Sequence, residues 1–117
     1  MNEPSQRYVE VEQVISAHEA RLAQDLAVIR LLGRQWAEYG ETMRRNTERY
    51  EEAGVQLGAQ NYFVQRGLAA RRELDSYVKR LAQDQQEFLS QTESGLRSAS
   101  EAESEWLRKE KVRASWA

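Results

Sequence analysis

Stepping by seven from Tyr8 meets Tyr8, Ile15, Leu22, Ile29, Trp36, Met43, Tyr50 and Leu57, eight apolar or aromatic residues without a miss. Seven residues make two turns of α-helix, so the series is one stripe on a single long helix and marks a heptad core position. The companion line, Val11, His18, Asp25, Leu32, Tyr39 and Asn46, is mixed, and Leu26 takes over where Asp25 fails. The one proline is Pro4, so nothing from Arg7 onward forbids helix, and Pro4 with Ser5 makes a start signal.

The periodicity breaks in EEAGVQLGAQN, where Gly54 and Gly58 can supply a left-handed cap and a permissive restart. Beyond it a second series runs through Leu68, Leu74, Val78, Leu81, Gln85, Phe88, Thr92, Leu96, Ala99, Ala102, Trp106, Arg113 and Trp116, again in threes and fours. The pattern predicts an all-α fold in a single domain. Helix one covers about 7–52, a turn about 53–60, and helix two about 61–114, paired as an antiparallel coiled-coil hairpin. A turn centred near Gly58 sets Tyr8 opposite about Arg108 and Trp36 opposite about Arg80. The stretch 90–105 is small and polar with Leu96 as its one large apolar group, which predicts either fraying or close helix approach through Gly95, Ala99 and Ala102.

Two helices of a 117-residue chain cannot enclose a core that houses a buried active site, so function belongs on surfaces. The 17 basic and 19 acidic side chains leave a formal charge of −2, which gives nucleic acid no concentrated attraction. There is no cysteine and one histidine, which argues against disulfides and against a metal centre. No apolar run reaches the roughly 18 residues of a membrane span, and MNEPSQRYVEVE is polar and acidic, unlike a signal peptide. The expectation is a cytoplasmic protein that does not insert into membranes.

No pattern sets two carboxylates in an apolar pocket, and the glycines never form GxxxxGK or GxGxxG, so neither acid–base catalysis nor nucleotide binding is expected. The reading is of a non-enzyme with no catalytic residues and no cofactor. His18, one turn after Val14 and Ile15, reads as a half-buried packing histidine rather than a base or ligand. Trp36 with Tyr39 and Met43 reads as core. Trp106 and Trp116, among Arg108, Lys109, Lys111 and Arg113, divide between packing on helix one near Tyr8–Ile15 and contacting another protein. Tyr62, Phe63 and Val64 cannot all face one seam, so at least one points outward at the hairpin tip.

Charge is uneven along helix two: Arg66–Arg80 holds five basic and two acidic residues, Trp106–Trp116 four basic and one acidic. Basic ends around an acidic middle suggest two docking zones, or else a solvated face with i to i+4 pairs.

QLGAQNYFVQRGLAARREL and SEWLRKEKVRASW, with Gln56-Leu57, the Arg71-Arg72 pair and Trp106-Leu107-Arg108-Lys109-Glu110 before Trp116, resemble the YscO/SpaM/FliJ family, the stalk proteins of bacterial type III secretion and flagellar export. The resemblance covers about 56–116, and helix one matches in pattern only. Two departures are a shorter chain and a less charged, serine-rich 90–105. The resemblance implies a coiled coil whose paired ends enter the ring of the export ATPase while the turn faces the export gate; some members bind free chaperones of translocator proteins. It places Arg108, Lys109, Lys111 and Arg113 on the ATPase side with Arg7 and Arg21 opposite, and Tyr62, Phe63, Arg66 and Leu68 on the gate side. The competing readings are a generic helical-hairpin interaction protein or chaperone, and a secreted WXG-like hairpin protein. For the last, the W-x-G turn is missing, since Ala37-Glu38 follow Trp36.

Overall fold

The computed structural model describes residues 5–58 and 60–116. Helix α1, Gln6–Leu57, and helix α2, Tyr62–Trp116, form an all-α antiparallel hairpin. Both helices begin on a side-chain cap, which satisfies amides that have no partner within the first turn. The Ser5 hydroxyl accepts from the Tyr8 amide at 3.1 Å. Asn61 Oδ1 accepts from Phe63 and Val64 at 2.9 and 3.3 Å. Pro4 lies outside the described residues.

The turn is shorter than the expected 53–60. Helix α1 continues through Gly54 to Leu57, and Gly58, with φ 108°, ends it in the left-handed conformation that glycine adopts without strain. The Asn61 amide then donates to the Gly58 carbonyl at 3.0 Å, closing the turn just before α2. Gly54 has a different task. A Cβ on it would stand 2.9 Å from Val64 Cγ1, so glycine is what lets the helices approach.

The chain divides into an end unit, made by α1 up to Arg30 with α2 from Ser90, and a turn unit, Leu31–Leu89. In the turn unit Gly54 meets Val64, and the Thr47 hydroxyl accepts from Arg71 Nε at 3.3 Å. Gly40 with Val78 and Trp36 with Ala82 line one groove. In the end unit His18 meets Ser100, and Leu22 and Leu96 line one hollow. Residue numbers in each of these layers add to 118. The register therefore lies about two residues from the expected one, because the longer α1 moves the turn. Tyr8 accordingly sits under the Lys111 ammonium, 5.4 Å from the ring centre, rather than opposite Arg108.

The seam itself departs from strict heptads. One line of buried and half-buried residues on α1 runs through Val11, His18, Leu22, Ile29, Trp36, Gly40, Thr47 and Gly54, and one on α2 through Val64, Arg71, Val78, Ala82, Leu89, Leu96, Ser100, Leu107 and Ala114, while Tyr8, Ile15, Leu26 and Met43 of the expected series are also buried or half-buried beside it. The steps run seven, seven, four, a repeat of 18 residues. Eighteen residues are five turns of an undistorted helix at 3.6 residues per turn. A four-residue insertion between heptads is a stutter, which relaxes the supercoil that continuous heptads would impose.

The stutters account for the misplaced seam residues. Leu32, Tyr39 and Asn46 give way to Gly33, Gly40 and Thr47, Phe88 to Leu89, Trp106 to Leu107, and Arg113 to Ala114, each shifted by one position. Tyr50, Leu57, Leu74, Ala99, Ala102 and Trp116 of the expected series are exposed. Neither expectation for 90–105 holds: α2 runs through it, and a Cβ on Gly95 would meet nothing within 4 Å. Among the described residues no helix is long and apolar enough to cross a membrane.

The two glycines make opposed predictions. Gly95→Ala should stabilise by about 0.5–1 kcal/mol through helix propensity alone. Gly54→Ala should destabilise by about 1–3 kcal/mol, because the stiff β-branched Val64 cannot yield cheaply. Denaturant midpoints of the two variants check the pair, and a Gly54→Ala protein as stable as wild type would refute the close approach.

Candidate interaction surfaces

In the end unit, charged side chains from both helices interlock. Arg7 reaches Glu110 at 3.5 Å, and Arg113 donates to the same carboxylate at 3.0 Å. Lys111 reaches Glu12 at 3.4 Å, and the hydrogen bond to that carboxylate, with the neighbouring Tyr8, raises the lysine pKa above its ordinary value. Lys109 lies 3.6 Å from Glu105 on its own helix. The basic cluster is thus largely neutralised within the chain. Arg108, exposed and without an ion pair among the described residues, is its one uncompensated cation. Trp106 is 56 % exposed and Trp116 85 %, so neither is buried in the seam, where the stutter puts Leu107, 2 % exposed, instead. Arg21 is exposed and lines a small hollow with Leu22, Asp25 and Leu96.

That hollow also holds a polar layer between the helices. Ser100 Oγ lies 3.0 Å from His18 Nε2, and Glu103 Oε2 lies 3.2 Å from Nδ1. Serine, imidazole and carboxylate follow one another as in an acyl-transfer triad. The setting opposes that chemistry. Ser100 is only 8 % exposed, and the amides around it lie inside α2, bonded to carbonyls one turn earlier, so those amides form no oxyanion hole. What the layer does is fix the pairing: a buried hydroxyl and ring nitrogen satisfy each other in one register only. This bond is also why the polar stretch around Ser100 stays in the seam, a contact that the residue types alone did not disclose.

In the turn unit, Val64 turns inward while Tyr62 and Phe63 point out, Phe63 at 79 % exposure. Their rings pack edge to face with centroids 5.5 Å apart, and Arg66 donates to the Tyr62 hydroxyl at 3.2 Å. Val55 and Leu57 are also exposed, so they do not cover the pair. Leu68, grouped with these residues by sequence, is half-buried near Gly54. Further along, Trp36, Met43 and Val78 floor a groove of about 570 Å³ rimmed by Glu41, Arg44, Asp75 and Lys79. Hydrogen bonding from Arg44 holds the Glu41 carboxyl below the usual range. Among the described residues, no group of three or more His, Cys, Asp and Glu side chains is arranged to hold a metal ion. Compared with protein-family models, curated proteins and solved structures, the chain has no match.

The His18–Ser100 layer is open to a double-mutant cycle. His18→Leu should destabilise by about 1–3 kcal/mol through the orphaned Ser100 hydroxyl, Ser100→Ala by less because His18 Nε2 keeps the carbonyl of residue 100 at 3.3 Å, and the double variant should lose less than the sum. Additive losses in urea unfolding would show that the two side chains do not act as a pair.

Proposed function

We propose that this chain is a non-enzymatic stalk of a bacterial type III export apparatus, cytoplasmic and peripheral to the inner membrane, which couples the export ATPase ring to the export gate and also receives free translocator chaperones. Support comes from the resemblance over 56–116, and from a helical hairpin that carries different chemistry at its ends. The observation that carries the reading is Arg108: a solvated cation without an ion pair among the described residues, in the same unit that exposes Trp106 on another face of α2. Such a pair offers a ring pore one charge for steering and one aromatic anchor. Arg7 and Lys111 support this end by pairing across to the opposite helix, Lys109 and Arg113 pair along α2, and Arg21 extends the end along α1. Tyr62, Phe63 and Arg66 form the gate-facing tip, with half-buried Leu68 as its support.

Arg108→Glu should weaken binding to the export ATPase about tenfold at low salt and less at moderate salt, since rim charges act mainly on association and are screened. Trp106→Ala should weaken it at both salts, and Tyr62→Ala/Phe63→Ala should leave it unchanged. Binding is measured with purified proteins, with circular dichroism as the folding control. Unchanged affinity in both Arg108→Glu and Trp106→Ala removes this end from the mechanism, and loss in the tip variant alone reverses the orientation.

A further inference from the structure

The turn unit has two unlike faces. With its seam on Gly40, Thr47, Val64 and Val78, the helical repeat places Leu32 and Tyr39 of α1, and Leu74, Tyr77, Leu81 and Phe88 of α2, on one side of the helix pair. Tyr39 and Leu81 confirm that side, since they line one cleft. The other side carries Arg34, Glu41, Arg44, Glu48, Arg72 and Lys79. The second face is charged and the first apolar, yet both meet water: Tyr77 is 58 % and Phe88 61 % exposed, and Leu32, Tyr39 and Leu74 are exposed as well. At aromatic and leucine sizes these five leave on the order of 500 Å² of apolar surface in one patch.

We infer that this face is the interface of a symmetric dimer, covered by the same face of a second copy. Three observations select that occupant. The patch has almost no charge, so it suits a partner surface as apolar as itself. It contains both a hole and its knobs: the cleft of about 400 Å³ between Gln35, Trp36, Tyr39 and Leu81 lies on the same face as the projecting Tyr77 and Phe88. Tyr77 is one turn from Leu81, so a two-fold axis midway between them brings each copy's Tyr77 ring over the other's cleft, with Phe88 at the margin of the contact. A two-fold interface requires this self-complementarity, because whatever one copy inserts the other must receive. The third is area. The chain leaves 9321 Å² accessible, whereas the size law for folded monomers gives about 6,600 Å² at this mass. The paired patches, with their polar margins, reach the roughly 1,200 Å² at which specific interfaces begin. The product in the turn unit is a four-helix bundle, in which each hairpin buries a second strip as well as its own seam.

The inference does not rest on the export reading. Sedimentation equilibrium of the full chain between about 1 and 200 µM, the range suited to a small interface, should give a mass rising toward twice 13.6 kDa. Tyr77→Glu/Phe88→Glu should stay monomeric throughout, at least a hundredfold weaker in association, with its helix content unchanged. Phe63→Glu, equally exposed but on the tip, should dimerise like wild type. The chain has no cysteine, so Gln35→Cys serves as a reporter whose oxidation should yield a covalent dimer, lost when Tyr77→Glu/Phe88→Glu is added. A wild-type mass of 13.6 kDa at every concentration, or a dimer indifferent to Tyr77→Glu/Phe88→Glu, overturns the inference and leaves the face to an unrelated apolar partner.

Discussion

Two helices share a single strip of contact, and every layer of that strip has to fall on the same line down each helix. An α-helix turns in 3.6 residues, so a strict seven-residue spacing drifts by about 20° per heptad unless the helices wind around each other. Here the drift is absorbed by four-residue steps after every second heptad, at Leu22, Gly40, Ala82 and Ser100. Three of the four layers at those steps are mixed in size or chemistry, Gly40 against Val78, Trp36 against Ala82 and His18 against Ser100, and the fourth sets Leu22 against Leu96. Large side chains facing small ones let the backbones approach, and the polar layer fixes which residues face each other.

The same arithmetic explains what could and could not be read from the residues. The hairpin, its antiparallel sense and the first four heptads of α1 were legible, because an unbroken apolar series has few other physical meanings. The line through Tyr39, Phe88 and Trp106 misled for a definite reason. Each is aromatic, sits one position before the true seam residue, and continues a strict heptad past the point where the helix has left it. Gly40, Leu89 and Leu107 are smaller or less conspicuous, and only the contact with the opposite helix selects them. The turn was misjudged through a similar ambiguity, since Gly54 and Gly58 look alike in a sequence although one serves close approach and the other a left-handed cap.

A one-residue displacement has large consequences for the surface. It brings Tyr39, Phe88 and Trp106 out of the core and groups them with other exposed apolar residues. A hairpin whose seam takes mostly aliphatic and small side chains leaves its aromatic residues outside, where they can serve recognition. Charge at the paired ends is divided too: Arg7 and Lys111 pair between the helices, Lys109 and Arg113 pair along α2, and Arg108 has no ion pair among the described residues.

The central claim is therefore the placement of the seam, and Leu107 against Trp106 tests it most directly. These neighbours in sequence exchange roles according to whether the seam follows strict heptads or steps by four at Ser100. If the stuttered seam is right, Leu107→Ala lowers the unfolding free energy by about 2–5 kcal/mol, while Trp106→Ala lowers it by at most about 1 kcal/mol. A reversed order in chemical denaturation, with Trp106→Ala the more damaging, would contradict the account and restore the unbroken heptad.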